Sequence, residues 1–304
     1  MRIVFAGSPG FAVPTLKALK ESGEEIVAVI TQPDKPIGRK RTLAPTPVKA
    51  CAESLGLKVY DFRRIGEHTE EVRSLDADIM ITCAYGQILT REILDCFSGG
   101  VWNLHASLLP EFRGASPVQA AILAGKEYTG ITVMKTEPTL DSGDILLVKR
   151  CVVGSKTCGE LSAELSVLAA DAALDALRYI KSGNIQLLMQ DEAKATFCKK
   201  IKKEDCKLDF SMSAEEVLRF VKAFSPQPAA YCYLNGSPLN VLDAELAQGR
   251  GDCGSVISAD RRGVEVACGE NSIRITVLQP SGGKIMPARD FANGRKIKVG
   301  DILD

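Results

Sequence analysis

Short apolar runs separated by stretches of helical period shape the first half of the chain. The runs Ile3 to Ala6, Ile26 to Thr31, Ala77 to Cys83, Gly100 to His105 and Thr129 to Lys135 have the length of buried strands and are too short for helices. Their alternation with helix-like segments predicts an open α/β domain with a mostly parallel sheet. Its last long helix is expected from Gly159 to Ser182, where Leu161, Leu165, Leu168, Ala172, Leu174, Leu177 and Ile180 make one stripe, with Gly183 as C-cap.

Residues 184–208 follow neither period and carry Lys194, Lys199, Lys200, Lys202, Lys203 and Lys207, which predicts a basic linker between a first domain (1–183) and a second (209–304). A helix from Ser213 to Ala223 opens the second domain, with Glu216 three residues after Ser213 to complete a capping box. Five β-rich runs with Gly-rich turns follow: Ala230 to Leu234, Leu239 to Leu246, Gly254 to Ala259, Val264 to Ala267 and Ser272 to Leu278. They predict a small β-barrel.

With 304 residues, 45% hydrophobic and 25% charged, the composition is that of an ordinary folded chain and excludes disorder or a fibrous repeat. Its 38 basic side chains balance 38 acidic ones, so an anionic partner must be held by local patches. Residues 203–304 carry 13 basic against 14 acidic residues, which leaves clusters such as Lys284 to Lys298 to do this in the second domain. Ten cysteines without a C-x-x-C pair and only two histidines make a metal site unexpected. MRIVFAG reads as a buried strand rather than a signal peptide, and no long apolar run predicts a membrane span, so a cytoplasmic protein is expected; a monomer is the expected state.

The strand VWNLH ends in Asn103 and His105, which period two places on one face at its carboxyl end. Open α/β sheets build their ligand crevice there. An imidazole beside an amide offers a proton carrier and a donor to a developing oxyanion. After the run ITVMKT, the turn Leu140-Asp141-Ser142-Gly143-Asp144 brings a carboxylate, Asp141, to orient that imidazole if the two strands are neighbours; Asp144 reads as a turn cap. His68, among charged residues, reads as a surface histidine. Gly7-Ser8-Pro9-Gly10 follows the first strand but lacks the G-x-G-x-x-G spacing and reads as a tight turn. The loop from Thr31 to Arg41 gathers Lys35, Arg39, Lys40 and Arg41 and resembles a phosphate-contacting finger.

Taken together, N-x-H-x-S-L-L-P (Asn103 to Pro110), the later D-x-G-D (Asp141 to Asp144), AGSPGFA, TQPDKPIGR and FSPQPAAY closely resemble the methionyl-tRNA formyltransferase family along essentially the whole chain. The resemblance implies a Rossmann-like domain that transfers the formyl group of 10-formyltetrahydrofolate to methionyl initiator tRNA, and a C-terminal barrel of the oligonucleotide-binding type. It implies Asn103, His105 and Asp141 as the catalytic trio. It also implies a folate site lined by Ser107, Leu108, Leu109 and Pro110 with Tyr85, Gly86, Gln87, Ile88 and Leu89. Lys35, Arg39, Lys40 and Arg41, joined by Lys200 and Lys203 of the basic segment, would contact the tRNA. Where the family usually has G-R-G-K, this chain has Gly38-Arg39-Lys40-Arg41, and a glycine stands at position 10 where an acid is common. The same catalytic core would serve a small amine such as glycinamide ribonucleotide or an amino sugar, and an RNA-binding protein on a degenerate α/β scaffold is the reading of another class. The basic loop and the extra domain argue against the first, and the intact trio against the second.

Overall fold

The structure, a computed structural model, describes residues 1–37, 42–183, 185–294 and 296–304. Two compact units emerge: Met1–Pro117 with Tyr128–Val152 and Ser162–Lys199, and Val118–Glu127 with Val153–Leu161 and Lys200–Asp304.

The chain opens with β1 (Arg2–Gly7), α1 (Val13–Glu21) and β2 (Glu25–Ile30). β3 (Lys35–Ile37) pairs antiparallel with β4 (Thr42–Ala44), ahead of α2 (Pro47–Ser54) and β5 (Val59–Tyr60). α3 (Thr69–Arg73), β6 (Ile79–Cys83), α4 (Arg91–Leu94) and β7 (Val101–His105) come next. They are followed by β8 (Arg113–Gly114), α5 (Pro117–Leu123), β9 (Tyr128–Lys135), β10 (Ile145–Val152), α6 (Cys158–Ser182) and β11 (Phe197–Cys198).

Seven of these strands make one sheet in the order β10-β9-β7-β6-β1-β2-β5. The five strands from β7 to β5 are parallel. Every residue of β6, and all of β1 beyond Arg2, is buried, as a sheet covered on both faces demands. Val4, Ala6, Ala28, Ile30, Met80 and Val101 belong to one core cluster that also takes in Tyr85 and Leu89. β9 runs antiparallel to β7, and β10, absent from the sequence expectation, runs antiparallel to β9 at the sheet edge. Thr157 and Glu160 cap α6 reciprocally, since each side chain accepts the other's backbone N–H. Gly183 ends this helix at φ +69°, where a side chain would be strained.

The aperiodic stretch after α6 does not hang free. Leu188 exchanges backbone hydrogen bonds with Ile145 at 2.8 and 2.9 Å, and β11 pairs parallel with β8. Residues up to Lys199 belong to the first compact unit.

In the second unit α7 (Ala214–Phe224) begins at the expected box, with Ser213 and Glu216 each accepting the other's N–H. The strands β12 (Ala230–Leu234), β13 (Ser237–Ala247), β14 (Val256–Asp260), β15 (Gly263–Ala267) and β16 (Ser272–Pro280) form an antiparallel sheet in the order β12-β13-β16-β15-β14. β17 (Met286–Pro287) pairs with β16, and α8 (Ala288–Asn293) follows. Residues 301–304 join the two outer strands. Tyr233 and Asp304 exchange backbone bonds on one side, while Leu303 donates to Gly254 and Val256 donates to Asp301 on the other. The sheet thereby closes into a barrel.

Candidate active site

β7 places the first two polar groups of the site. Asn103 lies opposite Thr82 of β6, and the Thr82 hydroxyl donates to its Oδ1 at 2.7 Å, so the amide N–H groups point the other way. His105, only 6% exposed, lies opposite Thr132 of β9. The Thr132 hydroxyl donates to the Ser107 carbonyl at 2.7 Å and accepts the Leu109 N–H at 3.1 Å. Ser107 donates in turn to the Glu111 carbonyl at 2.6 Å. The loop leaving His105 is thus pinned at each turn, and it delivers the Phe112 carbonyl to His105 Nε2 at 2.9 Å. With that nitrogen donating, Nδ1 faces away from Phe112.

The turn between β9 and β10 supplies the third group. Lys135 N–H donates to the Asp144 carbonyl at 2.9 Å, closing the turn. Only glycine fits at position 143, because a Cβ there would lie 1.7 Å from the Lys135 carbonyl oxygen. Asp141 adopts φ +48°, a left-handed conformation that costs a side-chain-bearing residue about 1 kcal/mol and needs support from its surroundings. Its Oδ2 accepts the Gly114 N–H at 2.8 Å and stands 3.7 Å from His105 Nδ1. The expectation that the two strands would be neighbours therefore holds, and His105 and Asp141 meet across them.

Sequence reasoning missed the groups that hold Asp141. Gln190, buried at 6% exposure, donates through Nε2 to the backbone carbonyls of Asp141 at 2.9 Å and Gly143 at 2.7 Å. Its Oε1 accepts from Nε and Nη2 of Arg113 at 3.1 and 2.8 Å. Arg113, 2% exposed, also donates to both carboxylate oxygens of Glu192, and this holds the exposed Glu192 carboxyl below its ordinary range. The Thr196 hydroxyl accepts the Phe112 N–H, and the Cys198 thiol donates to the same Phe112 carbonyl that receives His105. Burial pushes that thiol up, and the Asp141 charge adds to the shift. No sequence signal marked these residues: Gln190 follows the apolar pair Leu188-Met189, which the structure leaves 68% and 80% exposed while burying the glutamine.

The loops expected to hold folate divide by side chain. Tyr85, Leu89, Ser107 and Leu109 are buried, and burial raises the Tyr85 hydroxyl well above its ordinary range. Gln87 accepts the Ile65 N–H and donates to the Phe62 carbonyl, both at 2.8 Å, so its side chain braces the loop. Ile88 is 82% exposed, Gly86 turns at φ +81°, and Leu108 and Pro110 are half-buried.

Lys35, Lys200 and Lys203 are exposed, whereas Arg39, Lys40 and Arg41 lie outside the described residues. The root of the basic loop is fixed by Lys49, which pairs with Asp34 and Asp61 at 2.8 Å each; these bonds raise the ammonium above its ordinary range. Ser8 donates to the Tyr85 carbonyl and accepts the Gln32 N–H, which fits a packed turn. His68 pairs with Glu71 and stacks on Phe62. Among the described residues no group of three or more His, Cys, Asp or Glu has metal-holding geometry, and no helix is long and apolar enough to cross a membrane.

Residues 1–177 match the formyl transferase family, and residues 200–296 match the formyl transferase C-terminal domain. A methionyl-tRNA formyltransferase of Halorhodospira halophila is 43% identical over 99% of this chain and 98% of its own length. That of Coxiella burnetii is 40% identical over 98% and 97%. The chain belongs to the methionyl-tRNA formyltransferase family. As a formyltransferase it has solved structural neighbours well below that identity. HypX from Aquifex aeolicus, in complex with tetrahydrofolic acid, superposes with TM-score 0.68 at 18% identity; the match covers 99% of this chain and 50% of HypX. An N-formyltransferase from Helicobacter canadensis, solved with folinic acid and dTDP-3-aminofucose, gives 0.69 at 15% identity, covering 90% and 98%. Both neighbours show the formyltransferase fold.

Proposed function

We propose that the chain transfers the formyl group of 10-formyltetrahydrofolate to the α-amino group of methionine on initiator tRNA, with Asn103, His105 and Asp141 as the residues that act on it. The approach of Asp141 to within 3.7 Å of His105, whose strand also carries Asn103, is the observation that supports this most. The full-length relatives named for the same reaction support the acceptor, and the HypX neighbour solved with tetrahydrofolic acid supports a folate donor.

The donor brings an activated formyl group. A methionyl amine, with an ordinary pKa near 8, keeps a usable neutral fraction at pH 7. As its nitrogen bonds to the formyl carbon, negative charge grows on the formyl oxygen. Asn103 offers an N–H to that oxygen because Thr82 already occupies its carbonyl. His105 offers Nε2–H by exchanging the Phe112 carbonyl for substrate, and the Asp141 carboxylate, 3.7 Å from Nδ1, orients the ring. The bond from formyl carbon to the folate nitrogen then breaks, and the proton lost by the amine passes to that nitrogen. The backbone of 85–89 and 107–110, with exposed Ile88, would hold the folate. Lys35, Arg39, Lys40, Arg41, Lys200 and Lys203 would hold the tRNA backbone. In this reading residues 1–183 carry the reacting groups, 209–304 the RNA contact and 184–208 joins them while packing against the site through Gln190, working as a cytoplasmic monomer.

The decisive assay offers 10-formyltetrahydrofolate with methionine charged on initiator tRNA, methionine on elongator tRNA and glycinamide ribonucleotide, beside His105→Ala. Transfer to the initiator alone, lost in the variant, is the expected result. Transfer to the small amine alone overturns the acceptor, and transfer to none of them overturns the reaction.

A further inference from the structure

We infer that Gln190 is a positioning residue for formyl transfer, holding Asp141 in the geometry it presents to His105. This deepens the reading of Asp141 given above and rests on it. Residues 178–199 fall between the two stretches that match formyltransferase families, yet Gln190 is wholly committed to the site. Its two amide hydrogens go to the Asp141 and Gly143 carbonyls, and both lone pairs of its oxygen go to Arg113, which exhausts its hydrogen-bonding capacity. The residue it holds is the one that needs holding, since Asp141 sits at φ +48°.

The far end of the network returns to the same two groups. Arg113 lies next to Gly114, whose N–H binds the Asp141 carboxylate, and next to Phe112, whose carbonyl binds His105. A Cβ at Gly114 would lie 2.1 Å from the Cys198 carbonyl oxygen, so this segment is pressed against the loop without room to slip. Gln190 therefore grips the backbone of Asp141 while its partner's neighbours grip the side chains of Asp141 and His105. No other common side chain of this length supplies two donors and two acceptors at once.

The test is steady-state formyl transfer by the full-length protein carrying Gln190→Leu, Gln190→Glu, Asp141→Asn or each Gln190 change with Asp141→Asn. Gln190→Glu keeps the reach and the acceptor for Arg113 but turns an oxygen toward two carbonyls, so it decides the matter if Gln190→Leu does not fold. Displacing a reacting group by about an ångström costs roughly 10²-fold, so kcat is expected to fall by about that factor with both KM values held within about two-fold. In the Asp141→Asn background the further loss should be less than about three-fold, because both changes act on one group. Native turnover in both Gln190 variants, or losses that multiply with that of Asp141→Asn, overturns the inference alone. Native turnover in Asp141→Asn overturns it together with the reading of Asp141.

Discussion

Two arginines are buried among the described residues, one in each unit, and their surroundings lead to different places. Arg113 is held by Gln190 and Glu192, and Gln190 continues to the backbone of Asp141. Arg274 of β16 is held by Glu265, Asp260 and Glu245, and Glu265 continues to Ser272, whose hydroxyl accepts the Gly249 N–H. Both obey the rule that a buried guanidinium must have its hydrogens accepted. Only the first ends on Asp141, beside His105 at the carboxyl end of β7. A buried ion network is thus a poor sign of function by itself, and its terminus is what separates a site from a brace.

That contrast can be broken at either end. His105→Ala should cost about 10² to 10⁴-fold in kcat of the folded protein and leave the binding of tRNA nearly unchanged, as initial rates and filter binding would show. Arg274→Met should spare kcat instead. It strands Glu265, which is 8% exposed, and should lower stability by about 3–5 kcal/mol in denaturant titrations while kcat of the folded fraction stays native. A loss of kcat there would erase the distinction between the networks.

Arg113→Lys probes the middle, because an ammonium cannot span Gln190 and Glu192 as the planar fork does. About a ten-fold fall in kcat is expected, since it loosens the group that anchors Gln190. A native rate would show that Gln190 holds its place unaided. The smallest effect should come from Lys49→Met at the root of the basic loop. The Lys49 ammonium is raised by Asp34 and Asp61, so its contribution is fully present below the unfolded value near 10.4 and is lost as pH rises through the folded one. Thermal melts should show a deficit of about 2–4 °C that is constant from pH 7 to 9 and closes only above about pH 10. A deficit that closes below pH 9 would mean that this pair does not carry the stability.

The parallel strands and the Asn103/His105 pairing were legible because apolar runs and a period of two report burial and facing. Strand direction leaves no such trace, and Thr129 to Lys135 read as one more strand of a parallel alternation although it runs antiparallel to β7. β10 escaped because an edge strand that keeps Lys149 and Arg150 in its middle looks too polar for a buried run. The stretch after α6 inverted the usual code. Leu188 and Met189 face outward while Gln190 is buried, so its polarity suggested a linker where the fold has a structural contact. Asp141 was legible as a residue, but the backbone grip that places it depends on a partner 49 positions away, and no local period reports that.

The closure of the barrel has a consequence of another kind. Tyr233 and Val256 find their backbone partners in residues 301–304, so neither flank of β12 or β14 is left as an open template. Four residues work as the seal of a ring. A change that unseated them would bare two strand edges of the kind that pair with other chains.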